Sequence, residues 1–193
     1  EEKVDGASVG FSVDEHGMLR AQNRGAYVSR DHSNAQFKPL FRWLRPREHK
    51  LVEALAPNLI LFGEWCYALH GVHYTRLPDW FLAFDVYDRG LREFWSASRR
   101  NVLAAQLGLT LVPPLESGRF DLAGLRALLG QSQLADGPAE GIYLRQDEGD
   151  RLVARAKLVR PEFAQAIDEH WSRRALKTNA LAGGQPGGEH SWR

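Results

Sequence analysis

The stretch Glu1-Glu2-Lys3-Val4-Asp5-Gly6, running into Ala7-Ser8-Val9-Gly10-Phe11-Ser12-Val13, decides how the rest of the chain is read. Val9, Phe11 and Val13 alternate with small or polar neighbours, the two-residue period of a strand with one buried face. Just before it stand an amine, one spacer, a carboxylate and a glycine. A residue without a Cβ at position 6 lets the backbone come close to whatever binds there. Four residues with one wildcard recur by chance, so the weight of Lys3-Val4-Asp5-Gly6 depends on the segments downstream.

Asp14-Glu15-His16-Gly17 reads as a turn and residues 19–23 as a returning strand, which predicts a hairpin within residues 7–30, interrupted by Gly25. Over residues 34–56 the apolar positions Phe37, Leu40, Phe41, Leu44, Leu51, Val52 and Leu55 recur at three- and four-residue intervals. That spacing predicts helix, broken at Pro46. Residues 59–65 form a continuous apolar run, predicting a strand buried on both faces, and residues 80–87 predict another. Residues 93–107 predict an amphipathic helix, followed by a short strand at 109–112 closed by Pro113-Pro114. Asp121 is a candidate N-cap for a helix over 122–129. Residues 141–145 and 152–159 pair as a second hairpin across Asp147-Glu148-Gly149-Asp150, and a helix starts at Pro161 and continues to about Ala175. Strands mixed with irregularly placed helices predict an α+β fold of largely antiparallel sheets, not a regular βαβ series.

A chain of 193 residues holds one domain with a real core, or one domain and an appendage. No apolar run approaches the roughly 20 residues that span a bilayer, so no membrane partner is expected. The single Cys66 excludes an internal disulfide and fits a reducing, cytoplasmic setting. There is no initiator methionine, and the chain opens on its strongest motif, which predicts that an upstream segment is missing. The net charge of +1 is silent about partners. The arginine clusters (Arg42, Arg45 and Arg47; Arg99 and Arg100; Arg155, Arg160, Arg173 and Arg174) read either as solvated helix faces or as tracks for phosphates.

Five segments carry chemistry: Glu2-Lys3-Val4-Asp5-Gly6, Gln22-Asn23-Arg24-Gly25, Leu61-Phe62-Gly63-Glu64-Trp65-Cys66, Phe81-Leu82-Ala83-Phe84-Asp85-Val86-Tyr87-Asp88, and Glu140-Gly141-Ile142-Tyr143-Leu144 with Arg155-Ala156-Lys157-Leu158-Val159. In this order they resemble the nucleotidyltransferase motifs of ATP-dependent RNA ligases, members of the covalent lysyl-nucleotidyltransferase superfamily. The resemblance covers about residues 1–163. The run Phe62-Gly63-Glu64-Trp65-Cys66, followed by His70, His73 and Tyr74 and then Leu77-Pro78-Asp79-Trp80-Phe81, is particularly close to bacterial and viral RNA ligases.

The resemblance implies an ATP-grasp-like nucleotidyltransferase domain of antiparallel sheets flanked by helices. It implies ATP as the source of a lysyl-AMP, Mg²⁺ or Mn²⁺ as the metal, and RNA ends as the partner. Lys3 becomes the nucleophile and Lys157 a phosphate-contacting catalytic lysine. A lysine is protonated at neutral pH; to attack phosphorus Lys3 must lose that proton, which cations and a metal nearby favour. Glu140 becomes the metal ligand, a hard oxygen suited to Mg²⁺. The nucleotide-binding set is Glu2, Lys3, Asp5, Gly6, Arg24, Glu64, Phe84, Glu140, Arg155 and Lys157. Glu64 would accept from the ribose, and Phe84 would stack on adenine, although an aromatic within a strand is also ordinary core. Arg155 stands where the family has a lysine; its bulkier fork leaves that role open. Arg24 and Asp5 read equally well as exposed loop residues. Cys66, His70 and His73 have zinc-like spacing, but a fourth ligand is not evident and structural zinc sites want four.

Three alternatives stay open: a DNA ligase, a capping-type nucleotidyltransferase, and a nucleotide- or RNA-binding module without catalysis. The expected layout is an adenylation domain over 1–163 lacking its N-terminal segment, a C-terminal helix over 164–181, and a flexible tail over 182–193. The 30 residues from Ala164 to Arg193 are too few for another domain, so the chain is a minimal ligase or a piece of a longer one. An end-healing kinase or phosphatase module is a further partner that the resemblance implies.

Overall fold

A computed structural model describes residues 1–32, 34–165 and 176–183. Two antiparallel sheets organise them. The larger contains β2 (Ala7–Val13), β3 (Leu19–Gln22), β4 (Tyr27–Val28), β5 (Leu59–Trp65), β6 (Phe81–Asp88) and β7 (Glu93–Phe94) in the order β4-β3-β2-β5-β6-β7, with β8 (Thr110–Leu111) added parallel to β6. The smaller has the order β1-β9-β10, built from β1 (Glu2–Lys3), β9 (Gly141–Glu148) and β10 (Arg151–Val159). The helices α1 (Leu40–Leu44), α2 (Glu48–Leu55), α3 (Ala97–Leu107), α4 (Leu122–Ala127) and α5 (Pro161–Gln165), with a 3-10 turn at Ala35–Phe37, complete the described elements. This is the α+β arrangement of antiparallel sheets flanked by helices that the sequence predicts.

Strand register explains how one sheet serves two purposes. Val28, Ala21, Phe11, Leu61 and Val86 form one row across β4, β3, β2, β5 and β6, and all five are buried. Directly paired residues share a face, so this row belongs to the core. On that side lie Leu40, Trp43 and Leu44 of α1 and Leu51 and Leu55 of α2, all buried in the same core. Phe11, Trp43 and Phe81 pack with centroids 4.9–6.0 Å apart. Each buried aromatic contributes on the order of 2–3 kcal/mol. The Trp43 and Trp65 indoles stay satisfied, donating to Asp79 and to the Gln36 carbonyl at 2.7 Å each.

The opposite face is different. In β5, Leu61, Gly63 and Trp65 are buried, whereas Ile60, Phe62 and Glu64 are only half-buried. The expectation of burial on both faces is therefore corrected: the run is continuous in hydropathy, but its second face lines a cleft. Other boundaries shift as well. Residues 93–94 are strand, not helix, because they pair with Tyr87 and Asp88. The helix after them starts at Ala97, where Ser96 accepts from the Arg99 amide. Asp121 caps α4 as expected, through the Gly124 amide, but that helix stops at Ala127.

Residues 176–181 are extended, not the end of a C-terminal helix. Thr178 bridges Ala68, and Leu181 bridges Leu77. Asn179 is buried; it accepts from the Tyr74 amide at 2.9 Å and donates to the Cys66 and Ala68 carbonyls at 2.8 and 3.1 Å. Three backbone groups of the loop after β5 are thus met by one side chain, which overrides any helical preference. The rest of the expected helix, with Ala166, Ile167, Trp171, Arg173 and Arg174, and residues 184–193 of the expected tail lie outside the described residues.

Candidate active site

Lys3 ends β1, where Glu2 pairs with Ile142 and Lys3 with Gly141. Gly141 pairs in turn with Val159, Tyr143 with Lys157, and Arg145 with Arg155. Register therefore sets Lys3, Tyr143, Lys157, Arg145 and Arg155 on one face of the small sheet. That face looks across at β6 of the large sheet, since Arg145 and Arg155 both reach Asp85. The cleft lies between the two sheets.

Lys3 Nζ sits 2.5 Å from Glu140 Oε2, and both side chains are largely withdrawn from solvent. Burial pushes the Glu140 carboxyl above its ordinary range, against the pull of Lys3 and of nearby Lys157. Lys157 is itself exposed on the cleft face. Glu64 lies across from them on β5 and accepts the Gly6 amide at 3.0 Å. Burial raises its pKa to about 8; Lys3 and Arg24 oppose that rise, and Asp5 adds to it. A carboxyl of this kind changes charge near neutral pH, a property concentrated in functional sites.

Gly6 is required here by a contact other than the expected one. A Cβ at position 6 would fall 2.7 Å from the Trp65 carbonyl oxygen and 3.1 Å from Glu64 Cγ. The backbone approaches strand β5, and through it Glu64. Asp5 is likewise committed inside the protein. Its carboxylate accepts the Gly71 and Val72 amides at 2.5 and 3.3 Å, and its own amide donates to the Tyr74 hydroxyl at 2.7 Å. Glu2 is buried and accepts from Ser132 Oγ and the Gln133 amide at 2.5 and 2.9 Å, so its side chain anchors the loop before β9. Lys3 is thus held between two fixed neighbours.

Phe84 occupies a bulge. Phe62 pairs with Asp85 and Gly63 with Ala83, which leaves Phe84 as the extra residue of β6, half-buried. A bulge re-aims side chains beside a site. Arg24 is exposed at the tip of the β3–β4 turn, close enough for its charge to act on Glu64. Arg155, whose role the resemblance leaves open, is engaged within the protein. Its guanidinium lies 3.1 Å from Asp85 and 4.2 Å over the Phe94 ring. Structure therefore brings Lys3, Glu140, Glu64 and Gly6 together with Lys157 and Arg24 close by. It buries the Glu2 carboxylate, ties the half-buried Asp5, whose charge acts on Glu64 and Glu140, to the Gly71 and Val72 amides, and gives Arg155 to Asp85.

Two participants escape a reading of sequence alone. Asp85 is buried and paired with Arg145, whose side chain is 6% exposed; Arg145 also donates to the Phe84 and Trp95 carbonyls at 3.1 and 2.9 Å. One signal was present: a lone acid within the apolar run 81–87 demands a cationic partner. Arg100, whose cluster reads from sequence as a solvated helix face or a phosphate track, is buried and donates to the Phe84 carbonyl at 2.6 Å. The zinc reading finds no ligand set. Cys66 is buried, with its thiol directed at the Glu64 carbonyl at 3.6 Å. Among the described residues no cluster of three or more His, Cys, Asp or Glu side chains could hold a metal.

The chain belongs to the RNA ligase family, whose family model matches residues 1–159. Solved structures of Naegleria gruberi RNA ligase share the fold. A variant solved with ATP and Mn has 20% identity and a TM-score of 0.66, covering 85% of this chain and 50% of that one. The same ligase with PPi has 21% identity and a TM-score of 0.63, covering 85% and 49%. A third variant, with AMP and Mn, has 19% identity and a TM-score of 0.62, again covering 85% and 49%. This chain spans about half the length of those structures. None of the curated proteins matches it.

Proposed function

We propose that residues 1–163 form the adenylation domain of an ATP-dependent RNA ligase. It joins a 5′-phosphate to a 3′-hydroxyl through lysyl-AMP on Lys3 and an adenylylated 5′ end. The observation that carries this reading is the Lys3 amine seated on Glu140 at 2.5 Å, with Glu64 facing it and Lys157 on the same sheet face. Membership of the RNA ligase family favours this over the DNA-ligase, capping and non-catalytic readings.

Lys3 gives up one proton to solvent to become a neutral amine, its nitrogen attacks the α-phosphorus of ATP, and a second proton leaves to solvent as the phosphoramidate forms. The N–P bond forms as the P–O bond to pyrophosphate breaks. The 5′-phosphate of RNA then displaces the lysine, and finally a 3′-hydroxyl displaces AMP. Each transfer depends on positioning and charge neutralisation more than on a strong base. Lys157 supplies positive charge for the phosphates, and Arg24 supplies more at the mouth of the cleft. Phe84, re-aimed by its bulge, offers a face to the base, and Glu64 a carboxyl to the ribose. Mg²⁺ or Mn²⁺ fits the donor set, because such ions use one or two carboxylates plus phosphate oxygens and waters, and Glu140 provides one. When bound, the metal neutralises phosphate charge and favours release of the Lys3 proton.

The reacting ends must carry a 5′-phosphate and a 3′-hydroxyl, so a kinase or phosphatase that heals broken ends is the class of partner that supplies them. No helix among the described residues is long and apolar enough to cross a membrane. The buried thiol of Cys66 suits a reducing, cytoplasmic setting. The test is a sealing assay on nicked and on unpaired RNA, with all-DNA controls. Sealing of RNA in the presence of ATP is expected; sealing of DNA alone would overturn the reading.

A further inference from the structure

The cleft face of the large sheet continues beyond the catalytic side chains. Asp85, Phe62, Gly10, Gln22 and Tyr27 form one row across β6, β5, β2, β3 and β4. Paired residues share a face, so Tyr27 lies on the same side of the sheet as Phe62 and Glu64. Its neighbour Val28 belongs to the buried row on the other side. Three strand spacings, roughly 14 Å, separate β5 from β4 along this row.

Side chains pack along the row. At its middle a Cβ on Gly10 would fall 2.9 Å from the Phe62 ring and 3.1 Å from Gln22 Cγ, so these two side chains close over the glycine. At its outer end Tyr27 is 67% exposed, the most exposed of the large hydrophobic residues in the protein's described part. Beside it the β3–β4 turn is built rigidly. Asn23 Oδ1 accepts the Gly25 and Ala26 amides at 2.9 and 2.8 Å, and the Asn23 amide donates to the Ala26 carbonyl at 2.9 Å. That turn holds Arg24 at its tip, exposed. An exposed aromatic ring and an exposed arginine on a hydrogen-bonded turn are thus presented within three residues of each other, at the outer end of the row that reaches the cleft.

We infer that Tyr27 and Arg24 form a docking step for single-stranded RNA, with a base stacked on the Tyr27 ring and a backbone phosphate on Arg24. The charge is complementary to a polyanion, and aromatic stacking beside a cationic track is how single strands are held without regard to sequence. This inference rests on the RNA-ligase reading and adds to it the surface that receives the strand leading to the joint.

The two can be tested separately in one experiment. Adduct formation on Lys3 is measured with ATP and Mg²⁺ in the absence of RNA, and sealing is measured with pre-adenylylated RNA over a range of RNA concentrations. Tyr27→Ala is expected to form the adduct at the wild-type rate while raising KM for RNA about tenfold, within the range for loss of one stacked base. Tyr27→Phe keeps the ring and is expected to keep the wild-type KM. Leu91→Ala, which removes another exposed apolar side chain (60% exposed) next to β7 at the opposite edge of the sheet, serves as the control and leaves KM unchanged. An unchanged KM in Tyr27→Ala would overturn the inference. So would an unchanged KM together with altered sedimentation, which assigns the face to a second copy of the chain. Failure of the wild-type chain to form any adduct would instead sink the ligase reading.

Discussion

Asp85→Ala removes the one carboxylate that ties β6 to the small sheet at the end of the cleft. Asp85 is 1% exposed, and its partner Arg145 is 6% exposed at the side chain. Deleting one member of a buried ion pair costs about 3–5 kcal/mol, because the other charge stays buried without compensation. Arg145 keeps its bonds to the Phe84 and Trp95 carbonyls, which places the cost near the lower end, about 3 kcal/mol. Arg155 is half-exposed and adds little when its pair is lost. For a chain of this size that corresponds to a Tm lowered by about 6–12 °C. Urea unfolding followed by fluorescence reads the loss directly as a change in midpoint at constant slope. The double variant Asp85→Ala with Arg145→Met is the deciding arm. With both charges gone, most of the lost stability is expected to return. A loss below about 1 kcal/mol in the single variant, or a double variant as unstable as the two singles added, would refute the reasoning.

Other outcomes follow from named contacts. Glu64 has its folded-state pKa raised from 4.5 to about 8, so its contribution to stability is full below pH 4.5 and is lost as pH rises through about 8. Glu64→Gln should therefore gain relative stability across that window and match wild type near pH 4, as read by thermal unfolding at several pH values. Gly6→Ala brings a Cβ to 2.7 Å from a backbone oxygen that cannot yield, and is expected to cost about 1–3 kcal/mol and to slow adduct formation. Asn179→Leu strips partners from the Tyr74 amide and the Cys66 and Ala68 carbonyls, and is expected to cost roughly 2–4 kcal/mol in urea unfolding.

Much of this arrangement was legible in the sequence because it is local. Alternation in Val9, Phe11 and Val13, the turn at residues 14–17, and the cap at Asp121 each act within a few residues; the strand, turn and cap form as expected, although Gly10 and Ser12 on the other face of β2 are buried too. The site residues that lie beside the core strands were also visible: Lys3, Glu64 and Glu140 do converge. What sequence hides is register. Whether residues 59–65 are buried on one face or two depends on what covers them, and the half-open face becomes apparent only once β5 is paired between β2 and β6. Side-chain commitments across long separations are hidden for the same reason. Arg155 turns to Asp85, 70 residues away, and Asp5 to Gly71, 66 residues away. Asn179, read as part of a helix, is claimed by unmet backbone groups more than 100 residues earlier.

All of the chemistry proposed here requires that the Lys3 nitrogen become bonded to AMP. Incubation with α-labelled ATP and Mg²⁺, followed by denaturing gel and acid or base treatment, measures that bond directly. A label that is acid-labile and base-stable, present in the wild-type chain and absent from Lys3→Ala, is the predicted result. Label that persists in Lys3→Ala, or that never appears in the wild-type chain, would contradict it.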